Sequence, residues 1–155
     1  GYRLKVYDAY RPKRAVDHIY SWAANDNDQI MKPYFYPTVK KTNLIEQGYI
    51  TSQSDHTRGS AIDVSLFDMA TNSEVDMGTI FDFLGPESSP TYCAPNLIYQ
   101  SGGILTQQQF NNRLRLRNAM TKHGFVPSDI YWWHFTLEKE PYPTTYFIFP
   151  VEQLY

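Results

Sequence analysis

A chain of 155 residues is long enough to close one hydrophobic core without staples, and short enough to argue for a single domain. Hydrophobic residues at 42% and charged residues at 19% exclude disorder, while a net charge of −2 with acids and bases interspersed speaks against nucleic acid as a partner. No apolar run approaches the ~20 residues of a membrane span, and the single cysteine, Cys93, excludes an internal disulfide and any multi-cysteine zinc site.

The chain opens on Gly1-Tyr2-Arg3-Leu4-Lys5-Val6-Tyr7, a strand already under way by its alternation, with neither an initiator Met nor a signal peptide. The compartment stays open on this evidence. Asp8 to Pro12 turns the chain, and Pro12 suits the first turn of a helix running to about Ala24, with Ala15, Ile19 and Trp22 on one face. Pro33 to Gly48 is expected to be loop with some short helix.

Ala61 to Leu66 alternates as a strand, Ile62, Val64 and Leu66 to one side and Ala61, Asp63 and Ser65 to the other. Gly85 to Gly103 is rich in Pro, Gly and Ser and is expected to be a long loop. Thr106 to His123 is the strongest helix. Thr106 and Gln109 make a capping box, Phe110, Leu114 and Met120 lie near one face, and Gly124 ends it. Two strands are expected to follow, Tyr131 to Leu137 and Thr144 to Phe149. One α+β domain over residues 1–155, an antiparallel sheet with helices packed on it, accounts for the whole pattern.

Chemistry concentrates around two of the four histidines. His18 lies mid-helix and His123 in a last helical turn, where solvated or dipole-facing roles are ordinary. His56 lies in Ser54-Asp55-His56-Thr57-Arg58-Gly59-Ser60-Ala61-Ile62-Asp63, a polar loop feeding a strand. Asp63 is the polar interruption of that strand, and a carboxylate there must be paired, ligated or exposed. His134 follows Tyr131-Trp132-Trp133, aromatics that can shield a metal ligand. Two His and one carboxylate are the usual ligands of a hydrolytic zinc centre. The same spacing also fits a core histidine and an ion pair, and spacing alone leaves both readings open.

The motifs narrow the choice. Ser54 to Asp63 resembles, at every fixed position, the Ser-x-His-x-x-Gly-x-Ala-x-Asp motif of the bacterial D-alanyl-D-alanine dipeptidases. Trp132-Trp133-His134-Phe135 is similar to their Glu-Trp-Trp-His motif without its first residue. Tyr7 to Pro12, Met77-Gly78-Thr79 with Phe81-Asp82, and Thr145-Tyr146-Phe147 with Phe149-Pro150 are similar to further blocks in the same order.

This resemblance implies one zinc ion per chain on His56, Asp63 and His134, with a small dipeptide as substrate. Arg11 would steady the oxyanion, and Asp82 with Ser54 would hold the dipeptide ammonium. On the residues alone, Arg11 could equally be a helix-start arginine paired with Asp8, and Asp82 a solvated loop carboxylate. The resemblance also implies that an N-terminal portion of the family is missing.

The chain departs from the family at one chemical position: Tyr131 stands where the family carries its glutamate base. A tyrosine, with a pKa near ~10, is a poor base at neutral pH. Asp129 and Glu138 are the nearest carboxylates that could take over. Ser89 stands where histidine is expected, and Ile148 where Gram-negative members carry an acid. Two functions follow: zinc-dependent hydrolysis of D-Ala-D-Ala in cell-wall metabolism or glycopeptide resistance, impaired by Tyr131, or a non-catalytic zinc-binding relative that holds a D-amino-acid ligand or a protein partner. For residues 131 and 134 to share one site, the chain must bend at the Trp pair, since strand residues three apart face opposite sides.

Overall fold

The computed structural model describes residues 1–92 and 105–152. Strand β1 (Tyr2–Asp8) leads into helix α1 (Lys13–Ala24), two one-turn helices α2 (Lys32–Phe35) and α3 (Asn43–Glu46), and a 3₁₀ turn at Asp55–Arg58. Strands β2 (Ala61–Asp68) and β3 (Ser73–Glu74), helix α4 (Gln107–Lys122), and strands β4 (Phe125–Pro127) and β5 (His134–Leu137) complete it. All pairings are antiparallel, in the order β1-β2-β5-β4, with β3 on the far end of β2. This is the α+β architecture that the sequence implies.

β2 is central, and that position explains its composition. Five of its eight residues are buried, on both faces of the strand, so the alternation in its sequence separates two interiors rather than inside from outside. Val64 and Leu66 join Met77, Leu116, Met120, Trp132, Trp133 and Phe135 in the main core. A second core, of Ala23, Tyr36, Val39, Leu44 and Ile50, binds α1 to the short helices.

Helix α1 starts one residue later than expected. Pro12 is extended (φ −65°, ψ 151°) and precedes the helix as its cap. At α4 the capping box is complete, Thr106 Oγ1 accepting from Gln109 N–H at 3.2 Å and Gln109 Oε1 accepting from Thr106 N–H at 2.8 Å. Its inward face differs from the expected one. Arg113, Leu116 and Met120 are buried, whereas Phe110 and Leu114 are half-buried. Arg113 turns inward because backbone carbonyls of Met77, Glu87 and Ser89 receive its guanidinium at 2.7, 2.8 and 2.9 Å, which satisfies a buried charge.

Two expected strands are corrected. Thr144–Phe149 joins no ladder; it lies across the loops, with Phe147 N–H donating to Thr57 O (2.9 Å) and Phe147 O accepting from Lys13 N–H (3.2 Å). Tyr131–Leu137 is a strand only from His134, because the chain bends at Trp132 and Trp133. Strand β4 was not anticipated: three residues closed by Pro127 carry too little periodicity to be legible. The expected Gly85–Gly103 loop contains a 3₁₀ turn at Pro86–Ser88, and its part from 93 to 104, with Cys93, lies outside the described residues.

Candidate metal centre

Cross-strand register brings the chemistry together. Asp63 is paired with His134 on one side and with Asp8 on the other, so one row across β1, β2 and β5 holds all three. The register slips between Val6 and Asp8, a bulge that carries the chain out of β1 toward Arg11. His56 arrives from the 3₁₀ turn. Ser54 Oγ caps that turn by accepting from His56 N–H (3.3 Å), and Gly59 ends it at φ 68°, a left-handed conformation that glycine adopts freely. The turn folds the imidazole back over the strand it precedes.

The result is a tight triangle. His56 Nε2 lies 3.1 Å from Asp63 Oδ2, His134 Nδ1 lies 2.9 Å from Asp63 Oδ1, and the two ring nitrogens are 3.2 Å apart. Ligands 2.0–2.2 Å from a tetrahedral metal ion stand roughly 3.3 Å from one another, so the separations fit a single bound metal ion. The donor set fits as well. His56 Nδ1 faces the Ala9 carbonyl at 2.6 Å; because a carbonyl only accepts, this nitrogen carries the proton and Nε2 presents its lone pair inward. His56 and Asp63 are buried and His134 half-buried. Burial tends to raise the Asp63 pKa, but hydrogen bonds from His134 and His56 outweigh it and hold the carboxyl below its usual range.

A relay behind His134 escaped the sequence reading. Its Nε2 faces Thr136 Oγ1 at 3.4 Å, and Thr136 donates to Asp55 Oδ2 at 2.7 Å. Asp55 pairs with Arg58 (2.8 Å), which is gripped by both oxygens of Glu140 at 2.6 and 2.8 Å and touched by Tyr146. Thr136, two residues past His134 on the same strand face, was findable by period two; Glu140 was not, because it reaches the motif only through the fold. Thr136→Val is expected to weaken metal binding by roughly 10–100-fold with the fold intact, as measured by chelator competition.

Arg11 bonds Asp8 Oδ2 through Nε (2.8 Å) and Nη2 (2.5 Å), and its Nη2 also lies 3.7 Å from Asp63 Oδ2. Pairing with Asp8 and placement at the centre are therefore compatible, since Asp8 aims the guanidinium. Ser54, Arg11, Tyr131 and Asp82 line the same cavity as the triangle. Asp82 holds a left-handed backbone (φ 62°), unusual for a residue other than glycine. Its residue is open to the cavity, yet crowding by protein, followed by the nearby Asp63, pushes its carboxyl up to about 6.

Tyr131 enters the cavity because of the bend. Trp133 O still accepts from Val64 N–H at 3.0 Å, but Trp132 N–H turns away to Ser88 O at 2.9 Å, so residues 131 and 134 reach one side. The Tyr131 ring stacks on Trp133 at 4.7 Å, and its hydroxyl donates to Tyr49 O at 2.5 Å. Burial, reinforced by Asp82, drives its pKa far above that of a free phenol. Glu138, Asp129, Ser89 and Ile148 are outside this cavity lining: Glu138 lines a separate cleft beside Thr136, Asp129 is exposed with its carbonyl accepting from Ser89, and Ile148 is exposed. His18 and His123 are exposed and lie in or at the end of helices.

Known proteins are similar to this chain over nearly its whole length. The family described as D-ala-D-ala dipeptidase matches residues 1–152. The D-alanyl-D-alanine dipeptidase of Enterococcus faecium is 40% identical over 152 residues, 98% of this chain and 70% of that protein. That of Enterococcus faecalis is 42% identical over 151 residues (97% and 70%), and that of Streptomyces coelicolor 32% over 151 residues (97% and 70%). With a match of this extent, and with an antiparallel α+β fold beneath it, the chain belongs to the D-alanyl-D-alanine dipeptidase family of peptidases.

Proposed function

We propose that this protein is a zinc-dependent dipeptidase for D-alanyl-D-alanine whose proton-transfer step is impaired, acting in cell-wall metabolism or glycopeptide resistance. The convergence of His56, Asp63 and His134 at 2.9–3.2 Å, inside a cavity shared with Arg11 and Asp82, carries this reading. One zinc ion per chain, held by these residues, would supply the Lewis acidity that polarises a peptide carbonyl and acidifies water.

The chain's own residues do the rest. Arg11, held by Asp8, presents a fixed positive charge where the carbonyl oxygen gains negative charge. Asp82, ionised at neutral pH, and Ser54 receive the dipeptide ammonium. Tyr131 cannot take a proton from water: its phenol stays neutral at any physiological pH, and its hydrogen is committed to Tyr49 O. The protein is therefore expected to release alanine from D-Ala-D-Ala slowly, with zinc, and to stop when a chelator removes the metal. Amino-acid analysis of the reaction measures this; zinc-independent release rules out the metal-dependent mechanism, and no release with zinc bound rules out hydrolysis.

The locked Tyr131 hydroxyl also favours a second reading, a non-catalytic relative that keeps the zinc and the pocket to bind a D-amino-acid ligand or a protein partner. Zinc-dependent binding of D-Ala-D-Ala with no turnover over days would select it.

A further inference from the structure

Two short segments, 10–13 and 53–58, carry Arg11, Ser54 and His56, and residues 146–149 are bonded to both of them beside those three groups. Phe147 N–H donates to Thr57 O at 2.9 Å, next to His56, and Phe147 O accepts from Lys13 N–H at 3.2 Å, just past Arg11. On the other side of Arg11, the Tyr10 hydroxyl donates to Phe149 O at 2.8 Å and the two rings stack at 4.1 Å. Arg11 N–H in turn donates to His56 O at 3.3 Å, so the two segments are also joined to each other. The stretch that reads as a strand in sequence serves here as a strap.

One side chain of the strap has two polar anchors. The half-buried Tyr146 accepts from Arg58 Nη1 at 3.3 Å and donates to Gln53 Oε1 at 3.2 Å, with the guanidinium carbon 5.5 Å from its ring centre. A phenol can do both at once, because it is donor and acceptor together. Gln53 immediately precedes Ser54, and Arg58 closes the turn that carries His56. Between these anchors, Ser54 Oγ accepts from His56 N–H at 3.3 Å, so a shift of this stretch moves the hydroxyl and the imidazole together. Tyr146 itself is outside the cavity lining, whereas Gln53, Ser54 and His56 belong to it.

We propose that Tyr146 is a positioning residue, whose hydroxyl pins residues 53–58 from both ends and so sets Ser54 for the substrate ammonium and His56 for the metal. The proposal rests on the dipeptidase reading of the site and deepens it. Tyr146 acts through Gln53 and Arg58, and its effect is geometric: ligation and charge-assisted hydrogen bonds both weaken when a donor or acceptor leaves its place.

Tyr146→Phe keeps the ring over Arg58 and removes both hydroxyl bonds. Its Kd for zinc, by chelator competition, is expected to rise roughly 3–10-fold. At saturating zinc the KM for D-Ala-D-Ala, or the Kd by calorimetry where turnover is too slow, is expected to rise by a similar factor with kcat unchanged. Propionyl-D-alanine, which lacks the ammonium, is the control. Its Kd at saturating zinc is expected to be the same for both chains, whereas a merely structural loosening weakens both compounds alike. Circular dichroism of the metal-free chains checks folding. Should Tyr146→Phe fail to fold, Gln53→Ala, at an exposed position, cuts one of the two bonds from its other end and is expected to weaken D-Ala-D-Ala selectively in the same way. Unchanged zinc and dipeptide affinities in a folded variant overturn the positioning role and leave the dipeptidase reading standing, as does an equal loss for propionyl-D-alanine. A zinc-loaded parent chain that binds neither compound overturns both.

Discussion

Tyr131→Glu is expected to raise kcat for D-Ala-D-Ala by ~10²–10⁴, the usual contribution of a positioned general base. The bend at Trp132 and Trp133 sends residue 131 into the cavity that holds His134, so a carboxylate there faces the reacting groups. The change also releases Tyr49 O, which now accepts the phenol, and removes a ring stacked on Trp133, so some loss of stability is expected alongside the gain in rate. Tyr131→Phe separates the effects, since it keeps the ring and drops only the hydroxyl. It is expected to leave turnover at its low starting level. A glutamate variant that keeps zinc and folds, yet turns over no faster, means that residue 131 does not reach the reacting groups.

His56→Ala is expected to raise the zinc Kd by at least on the order of 10³, about 4 kcal/mol, and to abolish metal-dependent turnover. Losing one of three protein ligands leaves Asp63 and His134 to hold the ion with water. The same change frees the Ala9 carbonyl and opens a small cavity in a buried turn, so folding is checked by circular dichroism in parallel. Zinc content by atomic emission reads the outcome directly. Retention of one tightly bound zinc per folded chain in the variant places the ion elsewhere and removes the basis of the proposed mechanism.

Much of this site was legible because its parts are short motifs with their own chemistry. Ser54 to Asp63 contains a cap, a turn, a left-handed glycine and the start of a strand, all local devices, and these alone fold an imidazole back toward a carboxylate. The capping box of α4 was legible for the same reason. The inward face of α4 was not, because Arg113 is buried by carbonyls from residues 77, 87 and 89, which no helical period can announce. Nor was the end of the chain. Thr144–Phe149 has strand composition, yet β1 and β4 form the ends of the main sheet path and this segment pairs with neither.

By itself, then, the amino-acid order determined the residue types, the local turns and the family, because motif chemistry and capping act over a few residues. Only the folded sheet decided which groups meet. The register pairing Asp63 with His134, the bulge that aims Arg11, the bend that admits Tyr131 and the relay from Thr136 to Glu140 all depend on contacts between segments far apart in the chain. Such contacts form only when burial of the shared core repays the entropy of closing the loops between them.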